Sequence, residues 1–383
     1  MPRNDNAYSN VARVLGLAMI AVGLICAASQ FARGGASSAP AQAAAYMPRI
    51  ENAKMETRSV SGNLESTFRE LTATAGKPEW VGYAVDQIAG QNEVCCGNYS
   101  DQGGCGTCRL EKDRGESVGT TRSEGTVKLE GARQLLVLFR FEDNKVTKIR
   151  VASQDCTLDA GGLPLIWLTG VNVRESVALL ASYVRGADFE QHGERGPGNG
   201  ALTAIALHAD ASADRAFESF IKPDQQEGLR RKAAFWIGAA RGKAGLSGLQ
   251  RMAKEDPSSD VRAHVAFALS VSHEPGAVDE MIRMAHDDTS GHVRGHALFW
   301  LAQKAGKKAT GTITGAIESD PDTDVKKKAV FALSQLPKDE GVPKLIEVAQ
   351  TNRNPEVRKQ AMFWLGQSND PRALQFFEKV LSQ

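Results

Sequence analysis

The chain has 383 residues, of which 42% are hydrophobic and 24% charged, with 46 Lys and Arg against 45 Asp and Glu for a formal net charge of +1. That length has room for two or three domains. So even a balance, with both signs spread along the chain, argues against a partner recognised through bulk charge, and no nucleic acid is expected.

The first 33 residues read as a signal peptide or membrane anchor. Val14 to Ser29, VLGLAMIAVGLICAAS, is an apolar run preceded by Arg3 and Arg13 and followed by the small-residue tract GGASSAPAQAAA. That pattern marks an export signal or an N-terminal anchor helix. The run is slightly long for a cleaved signal and slightly short for a comfortable span. Ala-x-Ala sites at Ala41-Gln42-Ala43 and Ala43-Ala44-Ala45 lie far beyond it, which favours an uncleaved anchor. Gly23-Leu24-Ile25 before Cys26 is a poor lipobox. The expected placement is attachment to a membrane through this helix with the bulk of the chain outside the cytoplasm, periplasmic, or secreted if the leader is cleaved. Residues 34–59 follow as a linker.

Residues 60–190 read as a small α+β domain. Leu64 to Leu71 has the pattern of a short helix. Strand-like runs follow at 80–85 (WVGYAV), 134–141 (QLLVLFRF), 146–152 (VTKIRVA) and 163–168 (LPLIWL). Asp143-Asn144 is a hairpin turn between the second and third of these. Asn172, with Glu175 three residues on, caps a helix through SVALLASYV.

Five cysteines fall in this domain: Cys95, Cys96, Cys105, Cys108 and Cys156. Four of them lie in the glycine-rich stretch CCGNYSDQGGCGTC. In an exported chain the default is a set of disulfides stapling the loop, one reaching Cys156. A four-cysteine zinc site is the sharper alternative, although a second C-x-x-C is missing. A redox-active Cys105–Cys108 pair is a third, but no strand-to-helix transition surrounds it. Arg109, not His, follows the pair, which argues against c-type haem. No other cofactor is indicated. The stretch 191–200, HGERGPGNG with its preceding Gln191, reads as a glycine-rich linker.

From residue 201 to 383 one line recurs. LRRKAAFWI starts at Leu229, VRAHVAFAL at Val261, VRGHALFWL at Val293, VKKKAVFAL at Val325 and VRKQAMFWL at Val357, each 32 residues after the last. A fixed period of this size means stacked supersecondary units. Counting the first residue of each copy as position zero, apolar residues at zero, four, seven and eight share one helix face. A second helix follows in each unit, separated by turns such as Glu274-Pro275, Pro337-Lys338-Asp339 and Asp370-Pro371. Residues 201–221 form a degenerate first unit without the charged start, as a capping unit can.

Three positions of the repeat carry expectations. Position one is Arg230, Arg262, Arg294, Lys326 and Arg358, and the residue before position zero is Asp260, Asp324 or Glu356 in three copies. These read as an acid–base ladder between neighbouring units. Position seven alternates Trp236, Ala268, Trp300, Ala332, Trp364, as interdigitating core layers do; a ligand-facing tryptophan stripe is the alternative. Position six is Phe235, Phe267, Phe299, Phe331 and Phe363, although it points away from the centre of the apolar face. Arg231, Lys232, His264, His296, Lys327, Lys328 and Lys359 lie within one turn of it. Either these rings fill the groove between consecutive first helices, or they form a docking ridge with cations setting register.

The V-R-x-x-A-x-x-x-L line resembles HEAT repeats of the short bacterial type. The resemblance implies a mainly α fold ending in an α–α solenoid, and an interaction scaffold as its usual role. It extends to the repeat of deoxyhypusine hydroxylases and bilin lyases. The former hold two irons with His-Glu pairs in several repeats, whereas here His-Glu occurs once, at His273-Glu274. His208 with Asp210, and His286 with Asp287 and Asp288, are local metal-ligand candidates that more often mark solvated loops. The order of parts, with WVGYAV, the CC…CxxC loop, DCTLDAGG, AVFALSQ and AMFWLGQS, is similar to exported bacterial proteins with C-terminal HEAT repeats, from which no activity transfers. The leading expectation is therefore an extracytoplasmic scaffold that binds another protein of the cell envelope or secreted space, without catalysis. The alternative is a metal- or thiol-dependent oxidoreductase using the cysteine loop or the repeat histidines.

Overall fold

Strands that are apolar at every position need cover on both faces, and the sheet of this protein supplies it. The structure, a computed structural model, describes residues 46–90, 93–95, 98–100, 107–112, 117–118, 134–190 and 196–382. Its strands are β1 (Arg49–Glu51), β2 (Met55–Ser59), β3 (Glu79–Asp86), β4 (Glu93–Cys95), β5 (Asn98–Ser100), β6 (Thr107–Arg109), β7 (Ser117–Val118), β8 (Gln134–Glu142), β9 (Lys145–Ser153), β10 (Thr157–Asp159) and β11 (Leu165–Thr169). The main sheet runs β2-β11-β3-β8-β9, with β11 parallel to both neighbours and the rest antiparallel. One face, bearing Tyr83, Val137, Phe139 and Ile166, packs under helices α1 (Leu64–Thr74) and α2 (Val173–Arg185). The other face, bearing Trp80, Leu136, Leu138 and Trp167, packs on a small second sheet ordered β1-β10-β6-β7. The Trp167 ring lies so close to Gly82 that a Cβ there would come within 2.9 Å of it.

The expected hairpin is present: Asp143 and Asn144 both take positive φ (50° and 55°), the backbone of a two-residue turn between twisted strands. Asn172 caps α2 by accepting from the N–H groups of Arg174 and Glu175. Glu175 does not close a capping box. Its carboxylate instead accepts from the N–H of Leu64 at 2.7 Å and so caps α1.

The helices that follow are α3 (Pro197–Leu207), α4 (Ser212–Phe220), α5 (Glu227–Ala240), α6 (Gly242–Glu255), α7 (Ser259–Val271), α8 (Gly276–Asp287), α9 (Gly291–Ala305), α10 (Thr310–Ser319), α11 (Thr323–Ser334), α12 (Lys338–Thr351), α13 (Pro355–Gln367) and α14 (Pro371–Leu381). Residues 197–200, expected in a linker, are instead the first turn of α3. This helix lies directly on the sheet, where a Cβ on Gly200 would meet the Ile149 carbonyl oxygen at 2.2 Å. One hydrophobic core therefore runs unbroken from α1 and the sheet into the helix stack.

Helices α5 to α14 form five α–α units with α3 and α4 as a preceding pair. The first helices α5, α7, α9, α11 and α13 pack closely on one another, while the second helices touch far less. Close approach on one side and splay on the other places the first helices along the inner side of the stack's curve.

The expected acid–base ladder exists with different acids. Arg230 forks onto Asp256 (2.8 and 3.0 Å), Arg262 onto Asp288 (2.8 and 3.0 Å) and Arg294 onto Asp320 (2.8 and 2.9 Å). Each aspartate lies 26 residues downstream, at the C-cap of the same unit's second helix. The same arginines reach back to the preceding turn: Arg262 Nη1 donates to the Asp256 carbonyl and Arg294 Nη1 to that of Asp288. Asp260, Asp324 and Glu356 are not the partners. Asp260 faces His292 at 3.4 Å, Asp324 pairs with Lys327 at 2.9 Å, and Glu356 sits in the first turn of α13. In the fourth unit the rung changes on both sides, Lys326 for Arg and Asn352 for Asp. Lys326 donates to the Glu318 carbonyl and Asn352 to the Glu318 carboxylate at 3.4 Å, so no Arg–Asp fork forms there.

The anchor helix expected at Val14 to Ser29 lies outside the described residues, and with it the linker through residue 45. Among the described residues no helix is long and apolar enough to cross a membrane. The expectation of a membrane-anchored chain is corrected accordingly.

Removing one member of a buried fork leaves the other charge uncompensated. Asp288→Asn is thus expected to cost about 3 kcal/mol, read as a lowered urea midpoint. The double change Lys326→Arg with Asn352→Asp completes the fourth rung and is expected to add about 1 kcal/mol of stability, read as a raised urea midpoint. Burial pushes the Asp320 carboxyl up, but hydrogen bonds from Arg294 and the Asp322 N–H outweigh it and hold the group below its ordinary value. The rung therefore stabilises fully above the unfolded carboxylate pKa of about 3.9 and weakens as pH falls through the lower folded value.

Candidate functional site

Position six on each first helix places its ring over the seam with the next unit. Phe235 stacks on Phe267 with centroids 5.8 Å apart, and Phe299 stacks on Phe331 at 5.6 Å. Between these pairs the tryptophans complete the run: Trp300 tilts onto Phe267 at 4.7 Å and Trp364 onto Phe331 at 4.8 Å. Within helices, Phe235–Trp236, Phe299–Trp300 and Phe363–Trp364 meet edge to face at 4.9 to 5.1 Å. Eight rings thus make one continuous ladder along five helices of the inner side. Wherever position seven is alanine, Ala268 or Ala332, the space beside the phenylalanine is taken by the tryptophan of the following unit.

The ladder is neither core nor free surface. Phe235, Phe267, Phe299, Phe331 and the three tryptophans are half-buried, and Phe363 is 54% exposed. The rings fill the groove between first helices and still present an edge to solvent. The tryptophans, read as core layers, belong to the same ladder.

The cations expected at its margin divide. Lys232 donates to Asn199 Oδ1 at 2.7 Å and lies over the Phe189 ring at 5.4 Å, so it holds α5 to the preceding pair and not a partner. Lys327 pairs with Asp324. Burial and the nearby Arg231 charge push His264 down to about 4, and burial with His292 lowers His296, so neither is a cation near neutrality. Arg231 is half-buried, the stem of Lys328 covers Gly295, and Lys359 is exposed. On the other margin, one turn beyond the rings, position ten is Gln303, Gln335 and Gln367, all exposed. These glutamines were not singled out from the sequence, although their 32-residue spacing is visible there.

The other candidates lie elsewhere. His208 is fully buried. Its Nδ1–H donates to the Ala204 carbonyl at 2.6 Å, and its Nε2 accepts from Ser176 Oγ at 2.9 Å, which accepts in turn from the Tyr83 hydroxyl at 2.7 Å. This chain ties β3, α2 and the end of α3 together and presents no open ligand position, so the His208–Asp210 metal reading is not realised. His286 is exposed and contacts Asp287 at 2.5 Å. Among the described residues no three His, Cys, Asp or Glu side chains converge on a metal-sized site. Cys108 and Cys156 are buried on the second face of the sheet, and both are disulfide-bonded. Cys96 and Cys105, and the side chain of Cys95, lie outside the described residues.

The family model for HEAT repeats matches residues 215–302 and 311–383, and the C-terminal region is built of HEAT repeats. Two solved structures are similar. Human deoxyhypusine hydroxylase in complex with glycerol is 15% identical, with 54% of this chain and 90% of that chain covered and a TM-score of 0.28. The complex of CpcE and CpcF of phycocyanin lyase from Nostoc is 18% identical, covers 52% of this chain and 79% of that chain, and has a TM-score of 0.29. Among curated proteins none matches the chain.

Burial pushes the His208 imidazole down to about 4, against which its hydrogen bond to Ala204 works only in part. A histidine whose folded pKa lies below its unfolded value of about 6.5 contributes fully above that pH and is a growing liability as pH falls toward 4. The loss over that window is on the order of 3 kcal/mol. His208→Gln, which cannot charge, is expected to be less stable at pH 7 yet to show a flatter urea midpoint between pH 6.5 and 4.

Proposed function

We propose that the solenoid is a protein-binding scaffold and that its inner aromatic ladder docks another protein. The observation that carries this is the incomplete burial of eight connected rings, seven of them partly buried and Phe363 exposed. A stack that needed them only as filler would bury them, as it buries position-four and position-eight residues in every unit. Aromatic rings anchor interfaces because they bring large, stiff apolar area at small entropic cost. The exposed row of glutamines and Lys359, with the half-buried Arg231 and Lys328 beside them, supply the polar rim such an interface needs.

A photo-reactive phenylalanine analogue at Phe299 is expected to cross-link a discrete partner, and the capture is expected to fail for Phe267→Ser with Phe331→Ser once both proteins are shown folded by circular dichroism. Equal capture by both places binding elsewhere. A collapse of the melting temperature in the double variant shows the rings to be structural.

The cysteine-bearing sheet is proposed as a disulfide-stapled support with no redox role. The buried, bonded state of Cys108 and Cys156 supports this, and a zinc site would require their thiolates free. Intact mass under denaturing conditions is expected to rise by about 2 Da per bridge on reduction with no metal released. Stoichiometric zinc in the native protein would overturn the staple.

A further inference from the structure

In each repeat the residue before position zero and the residue at position three lie one helical turn apart and share a face. The pair is Asp260 with His264 in the second unit, His292 with His296 in the third and Asp324 with Lys328 in the fourth. In the units on either side an acid precedes a basic residue. In the third unit, on α9, an imidazole takes the place of the acid, and neither ring can neutralise the other. Both rings are exposed, and their centroids lie 4.5 Å apart. Across the seam, on α7, the Asp260 carboxylate stands 3.4 Å from His292 Nε2.

Two imidazoles one turn apart on a helix let one metal ion take a nitrogen from each. Two rings in contact resist being charged together, so the pair favours the neutral form, which is the form that binds metal. Burial holds the His296 imidazole below its ordinary value, as do the neighbouring His292 and Lys328, against the opposite pull of Asp260. Lys328 works against a cation here, and the Asp260 carboxylate offsets it. Nitrogen donors favour borderline ions such as zinc and nickel over magnesium and calcium, which take oxygen. We propose that His292 and His296 chelate a borderline divalent transition-metal ion at the seam of the second and third units. Water completes its coordination, and Asp260 accepts from a water on the ion, as outer carboxylates of metal sites do. The site borders the ladder, since Phe299 lies one turn beyond His296, but does not depend on the ladder being a docking face.

The full chain, without an affinity tag, is titrated with zinc chloride by calorimetry near neutral pH, with magnesium chloride as control. Zinc is expected to bind and to raise the melting temperature, and magnesium to do neither. His292→Gln and His296→Gln each leave a single nitrogen and are each expected to weaken zinc binding about a hundredfold. Asp260→Asn is expected to weaken it about tenfold. Because both histidines are exposed, the metal-free variants are expected to melt with wild type, which separates lost binding from lost folding. Binding is also expected to fall as pH drops through about 6.5 and the imidazoles take up protons. A zinc ion held by cysteines would be indifferent to all three substitutions. Zinc binding at wild-type strength in either histidine variant overturns the chelate, and so does a wild type that binds zinc no better than magnesium.

Discussion

The arginine fork at the start of the first three units is the constraint on which the stack depends. Arg262 holds the carboxylate of Asp288 at its own unit's far end and the carbonyl of Asp256 at the end of the unit before. Asp256 and Asp288 also accept from the N–H groups of Ser258 and Ser290, the N-cap residues of the helices that follow, and so close the turns leading into those helices. One side chain thereby fixes the length of a unit, the turn into the next and the phase between them. An added residue in a second helix would rotate its aspartate by about 100° and open the fork. The charges are buried, so the pairs add little net stability over apolar packing, but losing one partner is costly. Such rungs specify register more than they add strength.

The stack starts on the sheet. A terminal unit of a solenoid needs some cover for its outer face, and here α3 meets β9 backbone at Gly200 while Ile88 and Ala209 exchange main-chain hydrogen bonds with Leu207 and Asp86. The Tyr83–Ser176–His208 chain closes the same junction with no charge. Those three side chains have the chemistry of a catalytic relay, and burial alone makes them structural.

Much of the fold was legible because it rests on periodicity. The 32-residue line, the Asp143-Asn144 turn and the Asn172 cap each follow from local stereochemistry that tertiary contacts do not override. Three features were not legible, each for a physical reason. The short strands β1, β4, β6, β7 and β10 are two or three residues long, too few for any alternation to register. The acids of the ladder were assigned by proximity in sequence, whereas a 26-residue loop back to Asp256, Asp288 and Asp320 is a property of the closed unit. The charge on His264 was assigned from its type, whereas burial beside Arg231 removes it. At the ladder itself, facing directions separated phenylalanine from tryptophan, and only the packing of one unit on the next joins them.

The alternation of Trp and Ala beside the phenylalanines has a consequence for how the chain tolerates change. The Arg–Asp rungs recur in each of the first three units, but the ring sequence recurs every second unit. Excision of residues 293–324 would leave Phe267 next to a unit bearing Ala332, and its tryptophan neighbour would be gone. Excision of residues 261–324 would bring Phe331 onto Phe235 with Trp364 still in place beyond it. The backbone is thus built in single units and the inner surface in double ones, so that the heritable quantum of this surface is a pair of repeats.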